Sequence, residues 1–386
     1  MDAQAEVREL VELGFSEFGG AVAGIGGIHR AIAARAFGAS GPGATPARLA
    51  HDAVARQIYG GLRAGSNALG GAAARAASRI EAQPLSATRT GSLALGVING
   101  LMGDRLEAER SALAMPMTLR VDGERTPSVV VFLHGLMETD LSWAFGGAPT
   151  YGERLAGDLG TTPVYVRYNS GRHVSENGRE LNEKLEEQFA DWGVERIALV
   201  GHSMGGLVAR SAAFCASGED AAWVKKVSHL VSLGTPHMGA PMAQGARWLS
   251  SVSGRLPETA AFTAWLRRRS AGIQDLSQGS LVDEDWRDRD PDALRAAAIA
   301  EVPLLAGATH CFISASLARD GSLTDRLVGD VLVLRPSASG RSRTRRLGFR
   351  DEDGLHLPRV HHFALLNHPE VYEQLRAWLD ASQRAS

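Results

Sequence analysis

The apolar residues of this chain gather in short continuous runs separated by amphipathic stretches. Ser128 to Leu136 (Ser-Val-Val-Val-Phe-Leu-His-Gly-Leu), Thr162 to Asn169 and Ile197 to Val200 have few polar interruptions. Runs of that length and composition predict strands, the first of them buried on both faces of a sheet and the third also buried. Residues 117–122 alternate instead, which predicts an antiparallel entry strand. Helical spacing from Ser175 to Trp192 links the second run to the third. Strand–helix–strand order of this kind predicts right-handed crossovers and a mostly parallel sheet. Further strands are expected at 227–236, 309–314 and near 355–360, and a closing helix over 369–381.

Residues 1–110 follow another pattern. They are rich in Ala and Gly, poor in β-branched runs, and broken at Gly41-Pro42-Gly43, Pro46 and Pro84. Helices are expected at about 3–13, 17–37, 46–80 with a break, and 90–108. Small residues three or four apart (Gly20, Gly24, Gly27) lay a smooth stripe on one helix face. Such a stripe suits close packing on the body. Over residues 14–110 it also suits peripheral contact with lipid or a hydrophobic granule. The organisation expected is therefore a helical N-terminal region over 1–110 and an α/β domain over 111–386. Residues 241–302 form a helical insertion in that domain, which reads as a lid because connections so long are commonly binding elements.

The third apolar run carries the chemistry. It enters Gly201-His202-Ser203-Met204-Gly205 directly, and a helical pattern starts at once with Leu207 and Val208. With 44 glycines in 386 residues, G-x-S-x-G alone is weak; the strand before it and the helix after it give it meaning. A strand that becomes a helix within one residue needs strained backbone at the pivot, and this exposes the Ser203 hydroxyl at the carboxyl edge of the sheet. A serine hydroxyl is barely nucleophilic at neutral pH. It needs an imidazole to take its proton and a carboxylate to hold that imidazole. His362, after the last strand, is the expected base, with His361 and His368 as rivals. Asp330 is the expected acid, with Asp325 and Asp320 as rivals. Two backbone N–H groups must meet the developing oxyanion, and Leu136 and Met204 are placed to supply them. His134, Gly135 and Trp143 are expected along the substrate path. His202 is expected behind the nucleophile, and His310 in the core.

Three segments give these residues a family resemblance: Val-Phe-Leu-His-Gly-Leu, Leu-Val-Gly-His-Ser-Met-Gly-Gly-Leu-Val-Ala-Arg and Leu-Gly-Thr-Pro-His-Met-Gly-Ala. They resemble the lipase branch of the α/β-hydrolases, in particular bacterial triacylglycerol lipases and the GPI inositol-deacylase-like family. Those families hold the acid in a Gly-Asp-x-Leu-Val-Pro-x-x-Ser-Ala tract. Here Gly329-Asp330-Val331-Leu332-Val333 is followed by Leu334 in place of the proline, with the spacing to Ser337-Ala338 kept. His362-Phe363-Ala364-Leu365-Leu366 resembles their His-x-x-Leu-Leu segment. The resemblance covers about 125–380. It implies an α/β-hydrolase fold, ester or lipid substrates, an acyl-enzyme intermediate and no cofactor.

Bulk properties narrow the field further. A net charge of −2 gives no basic excess for nucleic acid. Cys215 and Cys311, both in apolar surroundings, argue against a disulfide framework. The acidic start lacks a signal-peptide pattern, and no run is long and apolar enough to span a membrane, so a cytoplasmic location is expected. The histidines lack metal-ligand spacing. Two rival readings stand beside the ester hydrolase. One is an acyltransferase using the same three side chains. The other is a non-catalytic protein coating lipid or polyester granules.

Overall fold

A computed structural model describes residues 5–6, 9–10, 84–147, 149–240, 270–289, 299–317, 330, 332–342 and 345–383. The expected helices at 17–37 and 46–80, the rival acids Asp320 and Asp325, and residues 241–269 and 290–298 of the expected lid lie outside the described residues.

Helix α1 spans Arg89–Ala108, and β1 follows at Thr118–Val121. Then come β2 (Ser128–Leu133), α2 (Tyr151–Leu159), β3 (Thr162–Arg167), α3 (Val174–Phe189), β4 (Arg196–His202) and α4 (Met204–Gly218). The chain continues through β5 (Val227–Leu233), α5 (Ala271–Gln278) and β6 (Thr309–Ser316). It ends with α6 (Arg335–Ala338), β7 (Gly354–Pro358) and α7 (Pro369–Gln383). Among the described residues the strands form one sheet in the order β1-β3-β2-β4-β5-β6-β7. Of these strand pairings only β1–β3 is antiparallel. The fold is α/β, a mostly parallel sheet with a core layer on each face. None of the described helices is long and apolar enough to cross a membrane.

Strand β2 shows why a nearly unbroken apolar run was needed. Side chains alternate across a sheet. Val129, Val131 and Leu133 enter the core layer beneath α3 and α4, with Leu181, Leu185, Leu207 and Val208. Val130 and Phe132 enter the opposite layer, with Tyr151, Leu155, Tyr372 and Leu375. Cutting Phe132 back to alanine in such a layer costs about 3–5 kcal/mol.

Helix α1 belongs to this body. Leu95, Ile98 and Leu106 are buried, and Asn99 donates to Leu113 O (2.7 Å) while accepting from Met115 N (2.9 Å). Asn169, in the loop after β3, donates to Gly103 O at 2.8 Å. Residues 270–289, expected within a lid, are also anchored in the body. Ser270 Oγ donates to Gly100 O at 2.7 Å, and the buried Asp275 carboxylate takes the Val174 N–H (2.8 Å) and His173 Nδ1 (3.1 Å). The His173 ring stacks on Trp286 with centroids 3.7 Å apart. These contacts also start α3 at Val174, one residue before the expected Ser175.

Candidate active site

The nucleophile candidate sits where β4 becomes α4. Ser203 has φ 52° and ψ −119°, a backbone conformation that costs of order 1–3 kcal/mol for a residue with a side chain. The neighbouring glycines let the turn close. A Cβ on Gly201 would lie 2.3 Å from Gly206 N, and one on Gly205 2.3 Å from Leu133 O. The Ser203 N–H donates to Leu233 O at 2.8 Å, which ties the pivot to the end of β5.

Opposite it, His362 opens a short 3-10 turn, His362–Leu366, after β7. Its Nδ1 lies 2.7 Å from Asp330 Oδ2, and both residues are buried. Asp330 is fixed in its turn: Oδ1 accepts from Leu332 N (3.0 Å) and Val333 N (2.7 Å). Its carbonyl accepts the His362 N–H at 3.3 Å. Burial alone would lower the His362 pKa. The charge and hydrogen bond of Asp330, with the more distant Glu138, outweigh burial and raise it above the ordinary histidine value. The His362 ring lies over the end of β5, where a Cβ on Gly234 would come within 3.0 Å of its Cε1. His362 Nε2 is buried and has no hydrogen-bond partner among the described residues. No hydrogen bond joins Ser203 and His362 among the described residues; between a catalytic serine and its base such contacts commonly close only around substrate. Of the rivals, His361 sits half-buried one residue earlier, and His368 Nδ1 accepts from Glu370 N at the start of α7.

The turn after β2 approaches the pivot closely. A Cβ on Gly135 would lie 3.1 Å from Ser203 Cβ. The Gly135 N–H donates to Glu138 Oε2 (2.7 Å) and the Met137 N–H to Ser170 Oγ (3.1 Å), with Met137 at φ 62°. Between them stands Leu136, whose N–H has no acceptor among the described residues; the same holds for Met204 N–H at the first position of α4. The turn is anchored from outside by the buried Asp140, which takes Arg167 Nε (2.6 Å) and Arg120 Nε (3.1 Å).

Two expected substrate contacts, Trp143 and His134, are buried. Trp143 is fully buried in the core layer, with ring centroids 5.0 Å from Phe132 and 6.3 Å from Tyr151, so it supports the turn from below. His134 is equally committed. Its Nδ1 donates to Gly135 O (2.8 Å), its Nε2 accepts from Tyr168 N (3.2 Å), and its ring stacks on Tyr168. Burial lowers its pKa, in keeping with that neutral tautomer. His310, expected in the core, is buried in β6 against Leu305 O, and burial lowers its pKa to about 4.

Glu138 is the residue that sequence reasoning missed. Its buried carboxylate meets both Gly135 N–H and His202 Nδ1. The one available signal was an acid three residues after Gly135, the distance over which a side chain can turn back to a backbone N–H.

Comparison with known proteins fits this geometry. Residues 170–255 match the PGAP1-like alpha/beta domain family. A triacylglycerol lipase of Pseudarthrobacter phenanthrenivorans is 32% identical over 120 residues, 30% of this chain and 34% of that protein. One of Burkholderia plantarii is 32% identical over 120 residues, 30% of this chain and 31% of that protein. The matched segments thus span about a third of the length of these curated relatives. The solved mature lipase BlEst2 of Bacillus licheniformis superposes with a TM-score of 0.43 at 19% identity, covering 67% of this chain and 98% of that one. Over the matched segments this chain is similar to the PGAP1-like alpha/beta domain and to triacylglycerol lipases, and those similarities accompany a mostly parallel sheet with a strained pivot at Ser203.

Proposed function

We propose that this protein hydrolyses carboxylic esters of the lipid or acyl-ester class through Ser203, His362 and Asp330. The observation that carries the reading is the buried His362–Asp330 pair, 2.7 Å apart, with the imidazole Nε2 unpartnered among the described residues, together with the strained serine at the end of β4. In the proposed cycle Ser203 Oγ attacks the ester carbonyl while His362 Nε2 takes its proton. The oxyanion that forms is met by the N–H groups of Leu136 and Met204. Collapse expels the alcohol, which leaves with the proton from His362, and the acyl group stays on Ser203. Water, deprotonated by His362 in turn, releases the acid. Asp330 holds Nδ1–H throughout and stabilises the transient imidazolium. The similarity of a 120-residue stretch to triacylglycerol lipases supports an ester as substrate.

Fluorophosphonate labelling followed by intact-mass measurement tests this directly. One adduct on wild type and none on Ser203→Ala is expected, with Ser203→Ala losing several orders of magnitude in esterase rate at unchanged stability. A chain-length series of esters then defines the acyl group, and adding alcohol acceptors separates hydrolysis from acyl transfer. No adduct on folded wild type, with detergent present, would refute the reading in favour of a non-catalytic surface protein.

A further inference from the structure

The centre described so far contains two buried side chains that the proposed chemistry does not use. Glu138 lies in the turn after β2, and His202 is the last residue of β4. His202 is completely buried, and each of its ring nitrogens faces an acceptor. Nδ1 is 3.0 Å from Glu138 Oε1 and 3.1 Å from Oε2, while Nε2 is 3.3 Å from the His362 carbonyl oxygen. A carbonyl can only accept, so Nε2 carries a proton. A second proton sits on the line between Nδ1 and the carboxylate. The Glu138–His202 pair is therefore neutral as a unit while donating to His362 O.

We propose that Glu138 and His202 are positioning residues for the Ser203 centre. One buried carboxylate holds the oxyanion turn at the Gly135 N–H and, through the His202 ring, holds the backbone of His362. Both ends of the reaction path depend on the same group. On one side the Gly135–Glu138 bond sets the direction of the turn that presents Leu136 N–H. On the other side the His362 backbone is held twice, its N–H by Asp330 O and its carbonyl by His202 Nε2. The link also has an electrostatic side. The His202 and His362 rings have centroids only 4.6 Å apart, so an uncompensated charge on His202 would oppose proton uptake by His362. The Glu138 carboxylate cancels it. Burial would raise the Glu138 pKa, but His202 and the Gly135 N–H outweigh burial and lower it, which keeps the carboxylate charged.

This inference rests on the ester-hydrolase reading, and the test separates the two. Wild type, Glu138→Ala, Glu138→Gln and His202→Gln are compared by steady-state kinetics on a short-chain p-nitrophenyl ester, by fluorophosphonate labelling rate and by thermal melting. Glu138→Ala is expected to lose about 10²-fold or more in kcat with KM within about threefold, because the contacts matter most when the oxyanion and imidazolium form. Glu138→Gln should recover to within about tenfold of wild type, since its carbonyl can accept from Gly135 and its amide can donate to a neutral His202. His202→Gln should resemble Glu138→Ala, and it carries the test if Glu138→Ala does not fold. A merely structural role would give melting losses without the kcat-selective pattern or the rescue by Gln. If wild type labels at Ser203 but Glu138→Ala and His202→Gln keep kcat within about threefold, the positioning role is overturned and the hydrolase stands. If wild type itself does not label, both readings fall.

Discussion

Replacing Asp330 by asparagine tests the proposed centre most sharply, because the structure dictates which way the amide must face. The Oδ1 position receives two backbone N–H groups, from Leu332 (3.0 Å) and Val333 (2.7 Å), and the Oδ2 position receives His362 Nδ1 (2.7 Å). If the amide nitrogen of the introduced asparagine took the Oδ1 place, two backbone N–H donors, one of them buried, would face a third donor. Each lost partner costs about 1–3 kcal/mol, so that orientation is disfavoured by roughly 2–6 kcal/mol. The amide nitrogen must therefore take the Oδ2 place and donate to His362 Nδ1. The neutral imidazole then carries its proton on Nε2, where it cannot accept one from Ser203. The expected loss is about 10³–10⁴-fold in kcat, or roughly 4–5.5 kcal/mol of transition-state stabilisation. KM should change little. The assay is kcat and KM on a short-chain ester, with imidazole ¹⁵N shifts reporting the tautomer of His362. Retention of more than about 10% of wild-type kcat/KM by a folded Asp330→Asn variant would refute the argument. The acid would then have to be sought at Asp320 or Asp325.

Two further outcomes are expected. The His362 pKa is raised above 6.5. Since the base must be neutral, the acid limb of kcat/KM against pH should have its midpoint above 6.5 and move down in Asp330→Asn. The same shift has the opposite sign for stability: a raised folded pKa contributes stability that is fully present below the unfolded value near 6.5 and lost as pH rises through the folded value. Urea unfolding should therefore show a pair-dependent loss of stability over the pH interval in which activity appears, and the loss should vanish in Asp330→Asn. Gly201→Ala, whose Cβ would lie 2.3 Å from Gly206 N and 2.5 Å from Gly205 C, has no side-chain end to push aside. It should cost about 3 kcal/mol or more and several degrees in Tm; a Tm within about 2 °C of wild type would mean that the pivot is looser than it looks.

The fold was legible because its signals are local and mutually consistent. An apolar run buried on both faces, as in Val129–Leu133, has few competing readings, and the glycines around Ser203 mark a close backbone approach that other residues would block. What was not legible depends on which way a side chain turns within an irregular segment. Trp143 follows the turn after β2 in sequence, but no periodicity there says whether it faces substrate or core, and Phe132 and Tyr151 take it into the core. Residues 270–289 were read with the long insertion because composition does not distinguish a docked helix from a covering one. The difference is made by single polar contacts such as Asp275 with His173 and Val174. Glu138 was invisible for the same reason: a lone acid in a turn gains meaning only when its carboxylate is seen between Gly135 and His202.

The polar groups around Ser203 share one physical logic. Burying them strengthens each electrostatic contact, but any group left unpartnered becomes costly. The buried carboxylates of Asp330, Glu138 and Asp140 are each met by at least two donors. His362 Nε2, by contrast, is buried and has no partner among the described residues. In the proposed cycle that open nitrogen is where the Ser203 proton would move. This explains why positioning by Glu138 and His202 should appear in kcat: their partners, the Gly135 turn and the His362 backbone, are already in place before substrate arrives, and only the transition state makes full use of them.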